Sequence, residues 1–163
     1  MKINIYTDGS SKGNPGKGGY GVIIRASNKT LELSQGYRLT TNNRMELLAV
    51  IIGLESINKN FQDITITSDS KYVIDSVEKG WLFNWEKKGF KNKKNPDLWK
   101  RFLIVYRKHN VNFKWIRGHS GHVENERCDQ LAVDASSTLE LKKDSYFEEL
   151  QSDSNNTFTQ RLF

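Results

Sequence analysis

The chain is poor in the residues that mark an oxidising or membrane environment. Its 163 residues include one cysteine, Cys128, so no internal disulfide can form, which fits a reducing compartment. No stretch approaches the ~20 apolar residues needed to cross a bilayer. The segment Met1–Tyr6 alternates like a strand and lacks the apolar block of a secretion signal. The reading is therefore cytoplasmic, with no membrane partner. Prolines number two, Pro15 and Pro96. Charge bias is also missing from most of the chain. The formal charge is +6, from 25 Lys+Arg against 19 Asp+Glu. Between Lys79 and Arg101, however, there are eight basic residues (Lys79, Lys87, Lys88, Lys91, Lys93, Lys94, Lys100, Arg101) and two acidic ones (Glu86, Asp97). That segment carries the entire surplus, and everything outside it is balanced. A basic surplus in one place points to a polyanionic partner.

What is present reads as one domain with a core of its own. A strand is predicted over Lys2–Thr7, ending at Asp8, followed by a glycine-rich turn or loop, Gly9–Gly18, that contains Pro15. Strands near Gly19–Ser27 and Thr30–Leu39 form a hairpin through Asn28-Lys29. The period then changes to that of a helix over about Asn43–Asn58, with Thr40, Thr41 and Asn42 as candidate caps. A short strand, Ile64–Ser68, ends at Asp69, and a helix follows over Ser70–Lys79. Pro96 and Asp97 open a helix to about Lys108, Val111–Ile116 is a fifth strand, and Glu124–Ser136 a last helix. The order β-β-β-α-β-α-α-β-α predicts an α/β (α+β mixed) fold, a mixed five-stranded sheet with helices packed on it. From about Ser137 the apolar period decays, so residues 138–163 read as a flexible tail.

Four acids fall at the ends of these elements. Asp8 and Asp69 end two strands, Glu46 lies in the first turn of a helix, and Asp129 follows a loop with His119 and His122. Neighbouring strands would project Asp8 and Asp69 from one edge of the sheet, where open α/β sheets bind ligands. Taken singly, each acid has an ordinary reading as a turn former, cap or helix-dipole partner. Taken together, packed carboxylates repel, and either protonation or a divalent cation must compensate. An all-oxygen ligand set favours Mg²⁺ or Mn²⁺ over zinc. Two such ions ~4 Å apart suit in-line phosphodiester hydrolysis.

Four blocks surround these acids: Tyr6-Thr7-Asp8-Gly9-Ser10, Thr40-Thr41-Asn42-Asn43-Arg44-Met45-Glu46-Leu47, Thr67-Ser68-Asp69-Ser70-Lys71-Tyr72-Val73, and Gly118-His119-Ser120-Gly121-His122-Val123-Glu124-Asn125-Glu126-Arg127-Cys128-Asp129. In that order they resemble the bacterial type 1 ribonucleases H over residues 1–137. The resemblance implies the ribonuclease H-like fold. It also implies endonucleolytic cleavage of the RNA strand of RNA–DNA hybrids with Mg²⁺, leaving 3′-hydroxyl and 5′-phosphate ends. Asp8, Glu46, Asp69 and Asp129 match the family's metal-binding carboxylates. His119 matches its catalytic-loop histidine, which serves proton transfer or product departure. Gly9, Asn42 and Glu46 match contacts to 2′-hydroxyls, the groups that distinguish RNA. Asn14 and Thr41 match a pocket for a DNA phosphate. Lys71 stands where well-known members have Gln, so a phosphate contact replaces the amide's bond or the lysine simply faces solvent. His122 reads as a cap, Arg44 as a structural pairing, and Cys128 as packing.

The basic segment interleaves Trp81, Trp85, Phe90 and Trp99 with its lysines. Trp99 with Leu98, Phe102 and Leu103 reads as core. Lys87 and Lys88 read as phosphate contacts with salt-sensitive affinity. The segment, about 79–101, sits where the family carries a basic protrusion that holds the hybrid's DNA strand, and Trp81 and Trp85 match its channel aromatics. The terminal Leu162-Phe163 loosely resembles peptides that bind sliding clamps, against the simpler reading of a fraying end. A monomer is the default for a small nuclease. Another nuclease of the same superfamily and a catalytically silent hybrid-binding module are the alternatives. The Gly-His-Ser-Gly-His loop argues against the first, and the full set of four acids against the second.

Overall fold

The computed structural model describes residues 2–162, with 155–162 described by backbone alone. Five strands, β1 (Lys2–Lys12), β2 (Gly16–Ala26), β3 (Lys29–Thr40), β4 (Asp63–Ser68) and β5 (Asn110–Trp115), form one sheet in the order β3-β2-β1-β4-β5. The first three run antiparallel, whereas β4 and β5 join β1 in parallel. Six helices accompany them: α1 (Asn42–Glu55), α2 (Lys71–Glu78), α3 (Trp81–Lys87), α4 (Pro96–Tyr106), α5 (Val123–Ser136) and α6 (Ser145–Leu162). The expected mixed sheet is present. One helix more than expected separates β4 from β5, because the Trp-rich segment closes its own turn as α3.

Residues paired across β1 and β2 share a face of the sheet. Ile5, Thr7 and Gly9, opposite Ile24, Val22 and Tyr20, face α1, and Tyr6, Asp8 and Ser10, opposite Ile23, Gly21 and Gly19, face α5. Helix α1 lies between the sheet and α4 and is apolar almost all round, with Met45, Leu47, Val50, Ile51 and Leu54 buried. Trp99 and Phe102 of α4 complete that core.

Two expectations are corrected here. The Gly9–Gly18 stretch is a turn only at its middle. Strand β1 runs on to Lys12 and β2 starts at Gly16, leaving a short turn with a cis Asn14–Pro15 bond. Gly13 (φ 84°) and Gly16 serve that turn, whereas Gly9 and Gly18 lie against Met45 of α1. A Cβ on Gly9 would stand 2.3 Å from the Met45 carbonyl carbon, and one on Gly21 would stand 2.2 Å from the Cys128 carbonyl oxygen. Residues 138–163 are not simply a tail. Lys142 bonds to β3, with its N–H donating to Gly36 O (3.0 Å) and its carbonyl accepting from Arg38 N (2.9 Å). Phe147 of α6 is buried, and Arg38 forms a two-pronged ion pair with Glu148. The C-terminal Leu162-Phe163 peptide lies outside the residues whose side chains are described.

Candidate active site

Strand β4 ends at Ser68 while β1 continues, so past the Tyr6–Thr67 pair one side of β1 is unpaired. Asp8 projects there, in mid-strand rather than at the strand end expected. Asp69 follows the last residue of β4. Glu46 enters from α1, whose N-cap Thr41 accepts from Arg44 N (3.3 Å). One carboxylate oxygen from each of Asp8, Glu46 and Asp69 lies within 4.8 Å of the others. Asp129, on α5, falls outside that group of three but is near enough to act on both Asp8 and Asp69.

The electrostatics follow from burial. Asp8 and Glu46 are 6% and 5% exposed. Burial first, then Asp69 and Asp129, push the Asp8 carboxyl up to about 7, against hydrogen bonds from Glu46 and the Gly9 N–H that lower it. Burial and then the Asp8 charge hold Glu46 well above the ordinary carboxylate range. Asp69 is also raised, by burial and by Asp129, while the nearby His119 pulls it back. Glu46 Oε2 is buried without a hydrogen-bond partner. Among the described residues, no Lys or Arg is paired with any of the three. Oxygen donors without thiolates, one of them unsatisfied, fit a hard divalent cation.

Backbone contacts hold Asp69. Trp115 Nε1 donates to its carbonyl (3.0 Å). A Cβ on Gly118 would sit 2.6 Å from Asp69 Oδ2, so only glycine lets the following loop come this close. His119 is exposed, in left-handed backbone (φ 55°), next to that glycine. His122 caps α5 as expected, accepting from Asn125 N through Nδ1 (3.2 Å). Cys128 is packing: it is fully buried, with Sγ against the Tyr6 carbonyl.

The remaining candidates divide between two places. Asn42, Glu46, Asp69 and Lys71 line one cleft of about 330 Å³ with Asn43. Asn14 Oδ1 accepts from Asn42 N (3.1 Å), which ties the β1–β2 turn to the start of α1. Gly9 packs under α1, a sufficient reason for glycine there without any substrate. Lys71 Nζ sits 4.9 Å above the Trp115 ring rather than free in solvent. The second place is α3 and its end. Trp81 is 44% exposed with Lys79 against its ring (5.3 Å). Trp85 meets Trp99 edge-on (6.0 Å) and carries Lys93 on its ring (5.4 Å), so it serves the core as well as the surface. Lys87 and Lys88 are exposed at the C-terminal end of α3. Arg44 is the structural pairing expected. Its guanidinium is 2% exposed and bridges Asp97 (2.7 Å) and Asp144 (2.7 Å).

Sequence reading missed Trp115, Asn43 and Asp144. Trp115 acts through its indole N–H on a backbone atom, which leaves no pattern in the chain. Asp144 lay in a segment read as a tail.

The comparisons with known proteins point to one family. A sequence model of the RNase H family matches residues 1–137. A ribonuclease H of Trichodesmium erythraeum is 55% identical over 148 residues, covering 88% of this chain and 94% of that protein. A ribonuclease H of Desulforamulus reducens is 51% identical, with 88% and 92% covered. Among solved structures, LC9-RNase H1, a type 1 RNase H with the type 2 active-site motif, superposes with a TM-score of 0.76 at 31% identity, covering 83% of this chain and 72% of that one. LC11-RNase H1, solved in complex with an RNA/DNA hybrid, gives a TM-score of 0.60 at 28% identity, with 82% and 95% covered.

Proposed function

The chain belongs to the ribonuclease H family, and on that premise we propose that it cuts the RNA strand of RNA–DNA hybrids, using Asp8, Glu46, Asp69 and Asp129 to hold Mg²⁺ at the open edge of β1. The observation that carries this reading is the convergence of three carboxylates, one of them with a buried, unsatisfied oxygen, and, among the described residues, no Lys or Arg paired with them. Two Mg²⁺ ions bound there would supply Lewis-acid polarisation of the scissile phosphate and a water of lowered pKa.

The chain's own residues do the rest. Trp115 holds the Asp69 backbone at the end of β4, and the missing Cβ at Gly118 leaves room for the carboxylate beside the following loop. His119, beside Asp69 on an exposed loop, can take or give a proton at the leaving oxygen and swing clear as product departs. Asn42 borders the cleft where a 2′-hydroxyl would lie, and selecting RNA requires such polar groups at fixed places. The lysines of α3 and the turn after it grip the opposite strand without reading its sequence.

One gel tests the reading. The protein is incubated with labelled hybrid, duplex RNA and duplex DNA, with Mg²⁺ or with chelator. Cutting of hybrid RNA alone, lost with chelator and in Asp69→Asn, is expected. Cutting of duplex DNA, or full activity in Asp69→Asn, would refute it, and binding without cutting would mark a silent module.

A further inference from the structure

Helix α5 buries an amide that has no acceptor. Asn125 is 5% exposed, and among the described residues its Nδ2 has no hydrogen-bond partner. A donor buried without a partner is costly, so its presence calls for an explanation. The residue itself is not loose. His122 Nδ1 accepts from Asn125 N (3.2 Å), the His122 ring lies against Tyr6 of β1 (5.8 Å), and Glu124 pairs with Arg25 of β2 (2.8 Å). Asn125, Cys128 and Ala132 make up the buried stripe of α5, which packs on β1 and β2.

Asp129 stands one turn further along, at the border of the same stripe. Residues four apart on a helix are neighbours, and a helical side chain leans over the turn before its own. The Asp129 carboxylate thus leans toward the turn that holds Asn125. Asp129 is also the odd member of the four acids. The Gly9 N–H donates to Asp8 (3.0 Å) and acts on Glu46, and the Asp69 N–H acts on its own carboxylate. Among the described residues, no hydrogen bond and no ion pair reaches the Asp129 carboxylate. One turn of helix separates a donor without an acceptor from a carboxylate without a donor. Metal-binding carboxylates are held by such outer hydrogen bonds.

We propose that Asn125 is a positioning residue for Asp129: with Mg²⁺ bound, Asn125 Nδ2 donates to the Asp129 carboxylate and keeps it turned toward Asp8 and Asp69. The inference rests on the hybrid-cutting reading above and adds to it a residue outside the four acids. A neutral amide suits this place, because it steadies the carboxylate without cancelling the charge that attracts the cation.

The test uses the full chain and carries Asn125→Leu, which keeps the branched shape and removes the donor, in the wild-type and Asp129→Asn backgrounds. Mg²⁺ binding is read without substrate, by calorimetry and by the rise in unfolding temperature, and hybrid cleavage by kcat and KM. In the wild-type background Asn125→Leu should raise the Mg²⁺ concentration for half-maximal binding by roughly tenfold. At limiting Mg²⁺ kcat should fall in step, with KM for hybrid little changed. In the Asp129→Asn background the same substitution should move the Mg²⁺ midpoint by less than about twofold, because the group it acts through is gone. The metal-free unfolding temperature should not fall, since the change removes a buried amide that had no partner. Should leucine overfill the site and lower that temperature, Asn125→Ala goes through the same cycle and decides alone. No shift in the wild-type background, or equal shifts in both, overturns the inference, because a merely structural asparagine acts whether or not Asp129 is present. A wild-type protein that binds Mg²⁺ but cuts no hybrid overturns the functional reading instead, and the Mg²⁺ cycle still judges Asn125.

Discussion

Replacing Asp8 by Asn should make the metal-free protein more stable, even though it removes a group the proposed function needs. Asp8 is buried, and its carboxyl is held at about 7 instead of the ordinary 3.8. The folded chain therefore keeps a proton that the unfolded chain has already released between these two values. Stability falls as pH rises through that window, is unaffected by this group below about pH 4, and levels off above about pH 7. At ~1.36 kcal/mol per pH unit, the full window corresponds to about 4 kcal/mol at pH 8. The chain relaxes around the charged pair, so Asp8→Asn should gain roughly 2–4 kcal/mol at pH 8 and nothing at pH 4. The amide keeps an oxygen for the Gly9 N–H (3.0 Å in the wild type) and offers Glu46 a donor without a charge. Urea unfolding in chelator at several pH values reads the gain, and for a chain of this size it corresponds to roughly 2–4 °C per kcal/mol in a thermal scan. Added Mg²⁺ should stabilise the wild type at pH 8 and leave Asp8→Asn nearly unmoved. No gain at pH 8, or an equal gain at pH 4, would refute the argument that uncompensated charge strains this site.

Two further substitutions probe what surrounds the acids. Trp115→Phe keeps a ring under Lys71 but loses the N–H that holds the Asp69 carbonyl. A neutral hydrogen bond of about 1 kcal/mol predicts a roughly fivefold fall in kcat with KM for hybrid little changed, and a higher Mg²⁺ concentration for half-maximal stabilisation. Unchanged kcat and Mg²⁺ dependence would show that Trp115 is packing alone. Arg44→Met leaves Asp97 and Asp144 without their shared cation, and breaking such a buried pairing costs about 3–5 kcal/mol. Hydrogen exchange should quicken first in α6, and equal protection of α6 in both proteins would count against the anchor.

The parts of this fold that were legible in the sequence are those where local chemistry and tertiary need coincide. The α1 period, the Thr41 cap, the alternation of β5 and the His122 cap all express a residue's preference at its own position. Gly9 and Gly18 misled because glycine has two meanings. It usually marks a turn, and here, as at Gly19 and Gly21, it marks strand surface on which α1 and α5 lie too close for a Cβ. The C-terminal segment misled for another reason. Its helix depends on one buried ion network and one buried ring, Phe147, so little periodicity was needed to specify it. At the site, the acids were legible only through their flanking blocks, and their convergence depends on β4 stopping short of β1. The role of Trp115 was not legible at all, since it acts on a carbonyl.

The two groups of buried acids in this protein make opposite bargains with the same physics. Asp97 and Asp144 are half-buried and buried, yet Arg44 lies between them with five N–H donors in a fixed fork. Burial alone would lower the arginine's pKa, and the bonds to the two aspartates more than reverse it. That arrangement is complete within the chain and can only be structural. Asp8, Glu46 and Asp69 also converge but, among the described residues, have no Lys or Arg paired with them, and Glu46 Oε2 lacks even a hydrogen bond. A chain able to neutralise one acidic cluster with its own arginine, 2 positions from Glu46 in sequence, leaves the neighbouring cluster to an external charge. Such a site is stable only when protonated or occupied. Occupation by a divalent cation at neutral pH is the state in which phosphodiester chemistry becomes possible, so the same electrostatic deficit that destabilises the empty fold equips it for hydrolysis.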